Sequence, residues 1–168
     1  DKIPSTKHIA VVFGPPKSGK TQLVGDLAKK FKLLWFDLEN GYATLLKLPK
    51  TYQENIELIS IPDTKTFPIA IETMLKTITG NKVSICQEHG KVSCPICKRE
   101  NKPETEICLS ALDATSIVVI DSLTQLTNSG ISHIGLGKPD DFKFEWPEWL
   151  HLKGLVDKFL SQVQQAKY

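Results

Sequence analysis

The chain of 168 residues is long enough for one domain with a hydrophobic core and short for two. Apolar residues make up 40% of it and charged residues 24%, and no apolar run is long enough to cross a bilayer, which argues against a membrane protein. The formal net charge of +2 is too small to indicate nucleic-acid binding by itself, and no signal-peptide pattern opens the chain, so we expect a cytoplasmic protein.

A phosphate-binding loop is the strongest motif near the start of the chain. The sequence matches G-x-x-x-x-G-K-[ST] at every fixed position. The apolar run 9–13 predicts a buried parallel strand before the loop, and an apolar stripe at helical spacing predicts a helix after it. The loop comprises Gly14, Pro15, Pro16, Lys17, Ser18, Gly19, Lys20 and Thr21, and the stripe comprises Leu23, Leu27, Ala28 and Phe31.

This motif points to a nucleoside triphosphate. Backbone amides of the glycine turn and the helix N-terminus form a nest for phosphate oxygens. Lys20 is expected to reach the β- and γ-phosphates, and the Thr21 hydroxyl to hold Mg²⁺, which prefers hard oxygen ligands. We therefore predict binding of ATP with Mg²⁺.

The middle of the chain alternates strands and helices. Apolar runs predict strands at 33–37 and 56–61, and helical periodicity predicts helices at 43–48 and 67–78. The first of these strands ends in Asp37, with Glu39 two residues later. Both carboxylates are thus expected at the carboxyl edge of the sheet, where ligands gather in open α/β folds.

The last third of the chain resumes this alternation. An apolar strand at 117–120 runs into Asp121 and Ser122, a Gly/Pro-rich segment at 128–147 predicts a long working loop, and apolar periodicity predicts a helix over 147–166. Asp121 is expected to help place Mg²⁺, and Glu39 to align the attacking water, because its side chain has the longer reach. Asp37 is expected to face the strand edge.

The four cysteines lie in a segment, about 81–112, that interrupts the α/β rhythm. Cys86 and His89 form one C-x-x-[CH] pair, and Cys94 and Cys97 form a second. This doubled spacing predicts one tetrahedral, structural Zn²⁺ site. Cys108 is left over and is expected to be an inert thiol, with replacement of His89 as the alternative.

Two features bear on nucleic-acid contact. Aromatic residues alternate with charged ones at 142–146, a pattern suited to stacking unpaired bases but equally suited to docking the loop onto its own domain. A basic cluster surrounds the predicted zinc site, and Arg99 within it is the only arginine available to act on a neighbouring subunit's nucleotide. The cluster comprises Lys91, Lys98, Arg99 and Lys102.

Together, the phosphate loop, the strand ending Phe36-Asp37-Leu38-Glu39 and the segment 117–126 resemble the RecA-like recombinase core. More narrowly, the chain is similar to small phage-encoded RecA-like ATPases of single-strand annealing and recombination. The resemblance implies an α/β P-loop NTPase fold in one domain, 1–168, with a mainly parallel sheet flanked by helices and a zinc-binding insertion. It also implies a homo-oligomer in the bacterial host cytoplasm that hydrolyses ATP on single-stranded DNA, with Glu39 catalytic, Asp121 orienting the metal, and 128–147 as the first DNA-binding loop.

One departure from the family leaves the sheet order open. RecA-like cores carry a further strand, bearing a sensor residue, between the phosphate-loop strand and the Asp strand. Tyr168 ends the chain where that strand would begin, so we expect either a natural protein that continues or the sheet order of nucleotide kinases, and we favour the first. The rival functions are a nucleotide or small-molecule kinase and a nucleotide-gated zinc module with little turnover.

Overall fold

A computed structural model describes residues 8–166, which form an α/β structure around a three-stranded parallel sheet. Three short 3₁₀ segments, Asp26–Lys29, Tyr42–Lys47 and Leu109–Ala111, lie between the main elements. The main elements in chain order are α1 (Lys20–Gly25), β1 (Lys32–Asp37), α2 (Lys50–Gln53), β2 (Ile56–Ser60), α3 (Ala70–Thr77), β3 (Val83–Cys86), α4 (Pro95–Arg99), β4 (Glu104–Ile107), β5 (Ser116–Asp121), α5 (Leu123–Gly135) and α6 (Trp146–Gln165).

The parallel sheet has the order β2-β1-β5, which confirms the three strands predicted after the phosphate loop. Its register places Asp37 opposite Ser60 on one side and opposite Asp121 on the other. The carboxyl ends of all three strands therefore meet at one level, and the acids that follow them share one edge of the sheet.

Two apolar layers cover the sheet. On one face, α3, α5 and α6 pack against β1 and β2 through a large buried cluster that includes Phe36, Met74, Leu126 and Phe159. On the other face, Trp35 packs with Ala28, Leu33, Leu45 and Leu48 under the first 3₁₀ segments. Side chains on successive residues of β1 point to opposite layers, which is why the strand reads as an unbroken apolar run.

The prediction of a strand at 9–13 is wrong. These residues are irregular in the structure, and their side chains are exposed, from 43% at Val12 to 91% at Phe13. A strand needs a partner for its backbone hydrogen bonds, and within residues 8–166 no strand pairs with the second edge of β5. Leu23, in the predicted apolar stripe, is also 62% exposed, so only Ala28 of that stripe is fully buried.

The long loop predicted at 128–147 is also wrong in its first half, because α5 continues to Gly135. Ser122 caps the N-terminus of this helix, and its hydroxyl accepts a hydrogen bond from the Gln125 amide (3.3 Å). Its buried face uses small residues, Ser129 and Gly130, and a Cβ on Gly130 would lie 2.7 Å from the Leu152 side chain. The glycine that suggested a loop instead allows α5 and α6 to pack closely.

The final helix was predicted correctly, since α6 runs from Trp146 to Gln165. Glu145 and Glu148 form a reciprocal capping box, and Pro147 occupies the first turn. The insertion folds as an antiparallel hairpin of β3 and β4 around α4. No helix within the described part of the chain combines the length and apolar character needed to cross a membrane.

Candidate functional site

The phosphate loop folds as a tight turn into α1. Lys17 and Gly19 both take positive φ angles, 63° and 86°, which bend the backbone before the helix. The Lys20 ammonium lies over this bend and donates to the carbonyl oxygens of Gly14 and Pro15, each at 3.0 Å. The lysine of the predicted loop therefore bonds back to the first two residues of that loop.

Asp121 lies directly beside this loop. The Thr21 hydroxyl donates to Asp121 Oδ2 at 3.2 Å, across 100 residues of sequence. Both side chains are only partly buried. Two oxygen atoms of the kind that Mg²⁺ prefers thus lie together at the start of α1.

Glu39 reaches the same place from the end of β1. Its Oε1 accepts a short hydrogen bond from the Ser122 hydroxyl, which belongs to the residue after Asp121. The Glu39 side chain is otherwise exposed. The sequence did not single out Ser122, whose contact with Glu39 joins residues 83 apart.

Asp37 does not face a strand edge, contrary to the prediction. Its carboxylate is 1% exposed and accepts hydrogen bonds from three backbone amides, those of Glu39 (3.1 Å), Gly41 (3.0 Å) and Tyr42 (3.2 Å). These bonds hold the turn that contains Glu39 in place. Asp37 is therefore a positioning residue for Glu39, and its spacing before a Gly-containing turn was the signal that could have revealed it.

Asp121 interacts electrostatically with the other charged groups of this site. Burial raises the pKa of Asp121, and the Thr21 hydrogen bond opposes this shift. The carboxylates of Glu39 and Asp37 also raise this pKa, whereas the Lys20 ammonium lowers it. Three acids within electrostatic reach of one another and of one lysine form a site that a cation would stabilise.

A second site lies in the insertion, where Cys86, His89, Cys94 and Cys97 come together. Their ligand atoms all lie within 4.8 Å of one another. His89 Nδ1 is 3.1 Å from Cys97 Sγ and 3.8 Å from Cys94 Sγ. Sulfur ligands of a tetrahedral Zn²⁺ with bonds of about 2.3 Å stand about 3.8 Å apart, so these four residues are positioned to bind a metal ion and are compatible with structural zinc.

The chemistry of these four side chains agrees with this geometry. All three cysteines are buried, and burial together with the Cys86 and Cys94 sulfurs raises the pKa of Cys97 to about 12. The Cys97 thiol therefore resists ionisation unless a cation shares the site, whereas a hydrogen bond from the Cys97 backbone lowers the pKa of Cys94. Cys108 lies elsewhere, with its Sγ 3.3 Å from Ser110 Oγ, so His89 rather than Cys108 completes the set.

The predicted metal site is fixed to the rest of the domain at the end of β2. The buried Thr73 hydroxyl of α3 donates to the Gly90 carbonyl at 3.0 Å, and the Phe67 ring meets the His89 ring edge-on at 6.1 Å. Gly90 packs directly on the backbone of Ile61. The insertion is thus seated on the sheet edge that carries the acids.

The aromatic residues of the remaining loop, 136–145, are engaged with one another. Phe142 packs on Phe144 at 5.8 Å, Phe144 packs on Trp149 at 5.1 Å, and Lys138 lies 5.0 Å over the Phe142 ring. Trp146, in contrast, is 74% exposed at the start of α6. This arrangement favours the interpretation in which the aromatic pattern docks the loop onto its own domain.

Comparison with known proteins identifies no relative. No family model, no curated protein and no solved structure matches the chain.

Proposed function

We propose that this protein binds ATP with Mg²⁺ and hydrolyses it, as a RecA-like P-loop ATPase with a structural zinc site. The observation that carries the proposal is the meeting of three distant segments at one edge of the sheet. Lys20 and Thr21 lie in the phosphate loop, Glu39 follows β1, and Asp121 ends β5. Neither the loop motif nor an acid at the end of a strand requires, by itself, that these residues come together.

Each residue has a role that fits its position. Lys20 and the loop amides bind the β- and γ-phosphates, and Thr21 with Asp121 holds Mg²⁺, which neutralises charge on the phosphate oxygens. Glu39 orients a water molecule for attack on the γ-phosphorus and accepts its proton. Asp37 keeps the Glu39 turn in place through its three amide hydrogen bonds.

Residues 8–166 do not form the sheet order of nucleotide kinases. In the kinase order, the strand before the phosphate loop is the direct neighbour of the Asp strand. Among residues 8–166, the segment 9–13 makes no strand pairing with β5. Action on single-stranded DNA in recombination or annealing belongs to the same proposal.

The test is phosphate release from ATP by the wild type and by three variants, with ATP binding measured in parallel. Lys20→Ala should lose binding, and Glu39→Gln should retain binding but lose hydrolysis by about 10²-fold or more. Glu57→Gln, at an exposed position on β2, is the matched control and should behave as the wild type. Hydrolysis that survives unchanged in Glu39→Gln would contradict the proposal, and transfer of phosphate to an acceptor other than water would indicate a kinase.

A further inference from the structure

The Ser122 side chain makes two hydrogen bonds just after β5. Its hydroxyl accepts one from the Gln125 amide at 3.3 Å, which caps α5, and donates a second to Glu39 Oε1. A serine hydroxyl carries one proton and accepts through its lone pairs, so the bond from Gln125 leaves that proton for Glu39. Helix capping requires only the first of these bonds. The second bond is therefore not explained by the start of α5.

This second bond is the only hydrogen bond that the Glu39 carboxylate accepts from residues 8–166. The bonds to Asp37 hold backbone amides of the turn, including that of Glu39, but they do not hold the Glu39 side chain. This side chain is exposed, so the backbone alone leaves it several rotamers. Ser122 selects the rotamers in which Oε1 faces the start of α5. The second oxygen, Oε2, is left for another partner.

Ser122 also follows Asp121 directly, and Asp121 contacts the phosphate loop through the Thr21 hydroxyl at 3.2 Å. Asp121 thus reaches the loop, and the next residue reaches the Glu39 turn. The proposed metal ligand and the proposed base are therefore tied to adjacent residues of one segment. This connection fixes the two groups relative to each other, which catalysis by a positioned base requires.

Helix α5 is anchored beside this contact by Asp63, which follows β2. Asp63 Oδ2 accepts a hydrogen bond from Gln125 Nε2 at 3.2 Å, and its Oδ1 accepts one from the buried Ser129 hydroxyl at 2.9 Å. The same Oδ1 accepts from the amides of Ile69 (2.7 Å) and Ala70 (2.8 Å) at the start of α3. One carboxylate therefore joins the two helices, and the start of α5 has a fixed position relative to β2.

We propose that Ser122 is a positioning residue, which holds Oε1 of Glu39 so that Oε2 faces the attacking water and accepts its proton. The inference rests on the function proposed above, because the contact affects hydrolysis only if Glu39 is the base. Without the hydroxyl, Glu39 returns to several rotamers, and only a fraction of them places Oε2 correctly. We expect this loss of orientation to slow the chemical step about tenfold, which is less than the loss of the base itself.

The experiment measures steady-state phosphate release from Mg·ATP by Ser122→Gly and Ser122→Thr. Glycine is a good helix cap without a hydroxyl, so Ser122→Gly should lower kcat about tenfold, change KM less than about twofold and shift the melting temperature by about 2 °C at most. Threonine keeps both the cap and the donor, so Ser122→Thr should stay within about twofold of the wild-type kcat. The matched control is Thr124→Ala, which removes an exposed hydroxyl from the first turn of α5 and should keep the wild-type kcat and KM.

A double variant tests whether Ser122 acts through Glu39. In the Glu39→Gln background, the added Ser122→Gly change should alter kcat less than about twofold. The reason is that the carboxylate which the hydroxyl orients is already gone. A residue that acts on hydrolysis by another route would lower kcat in this background as much as it does in the wild type.

Three results would overturn the inference. One is wild-type kcat in Ser122→Gly, which would leave Ser122 as a helix cap alone while the proposed hydrolysis stands. A second is an equal loss of kcat in Ser122→Thr and Ser122→Gly, which would assign the effect to packing at this position and not to the hydroxyl. A third is a further loss of about tenfold in the double variant. Absence of ATP hydrolysis by the wild type would instead refute the proposed function and this inference together.

Discussion

Replacing Gly90 by alanine tests how firmly the cysteine-containing insertion packs on the sheet. Gly90 has φ +63°, and an added Cβ would lie 2.8 Å from Ile61 Cα, 2.9 Å from Pro62 Cδ and 3.1 Å from the Ser60 carbonyl oxygen. The positive φ angle alone costs an alanine about 1–2 kcal/mol. The clash adds about 1–3 kcal/mol, because two of the three atoms belong to backbone that cannot rotate away.

Gly137→Ala is the matched control for this prediction. Gly137 has φ +77°, but nothing lies within 4 Å of its added Cβ, so the substitution carries only the conformational cost. We expect Gly90→Ala to lower the free energy of unfolding by about 2–5 kcal/mol and Gly137→Ala by about 1–2 kcal/mol, as measured by urea denaturation. Equal losses in the two variants would refute the packing of the insertion against the end of β2.

The remaining predictions concern the two sites. Asp37→Asn should lower the free energy of unfolding by about 1–3 kcal/mol in urea denaturation, because the new amide group turns a donor towards a backbone N–H. The variant should also hydrolyse ATP more slowly. An unchanged free energy of unfolding would contradict the role of Asp37 in the turn. Asp121→Asn should raise the melting temperature of the nucleotide-free protein at pH 7, since burial raises the pKa of Asp121. Its native state therefore binds a proton more readily than the unfolded chain, so this residue's contribution to stability falls as pH rises through the native pKa. The variant's advantage should shrink towards pH 4, near the unperturbed pKa of about 3.9, and an advantage independent of pH would contradict the assignment. Protein purified without added metal should contain about one zinc ion per chain by elemental analysis; Cys97→Ser should lose it and Cys108→Ser should keep it, and equal zinc in both variants would exclude the proposed ligand set.

The sequence predicted the parts of the structure that depend on local pattern. The strands β1, β2 and β5 were recognisable because each is a continuous apolar run, and α6 because its apolar residues repeat at helical spacing. The cluster of Cys86, His89, Cys94 and Cys97 was recognisable because its members come in two closely spaced pairs on one hairpin. In each case the signal lies within a few residues of the feature.

The predictions that failed depended on neighbours far away in the chain. The apolar run 9–13 reads as a strand, but a strand forms only where another strand pairs with it. Gly130 reads as a loop residue, but it serves close packing against Leu152. Ser122 was missed for the same reason, since a serine at a strand end acquires its role only from the group that it contacts. The role predicted for Asp37 was wrong although its three amide partners lie nearby in the chain.

The central claim is that the phosphate loop, Glu39 and Asp121 form one site for a metal-bound triphosphate. Amide NMR spectra recorded with Mn²⁺·ATP test this claim most directly, because the paramagnetic ion broadens signals only from nearby nuclei. We predict that the amides of Lys20, Thr21, Glu39 and Ser122 broaden together at the same Mn²⁺·ATP concentration, while the amide of Gly137 stays sharp. Broadening confined to the phosphate loop, with the Glu39 and Ser122 signals unchanged, would contradict the account.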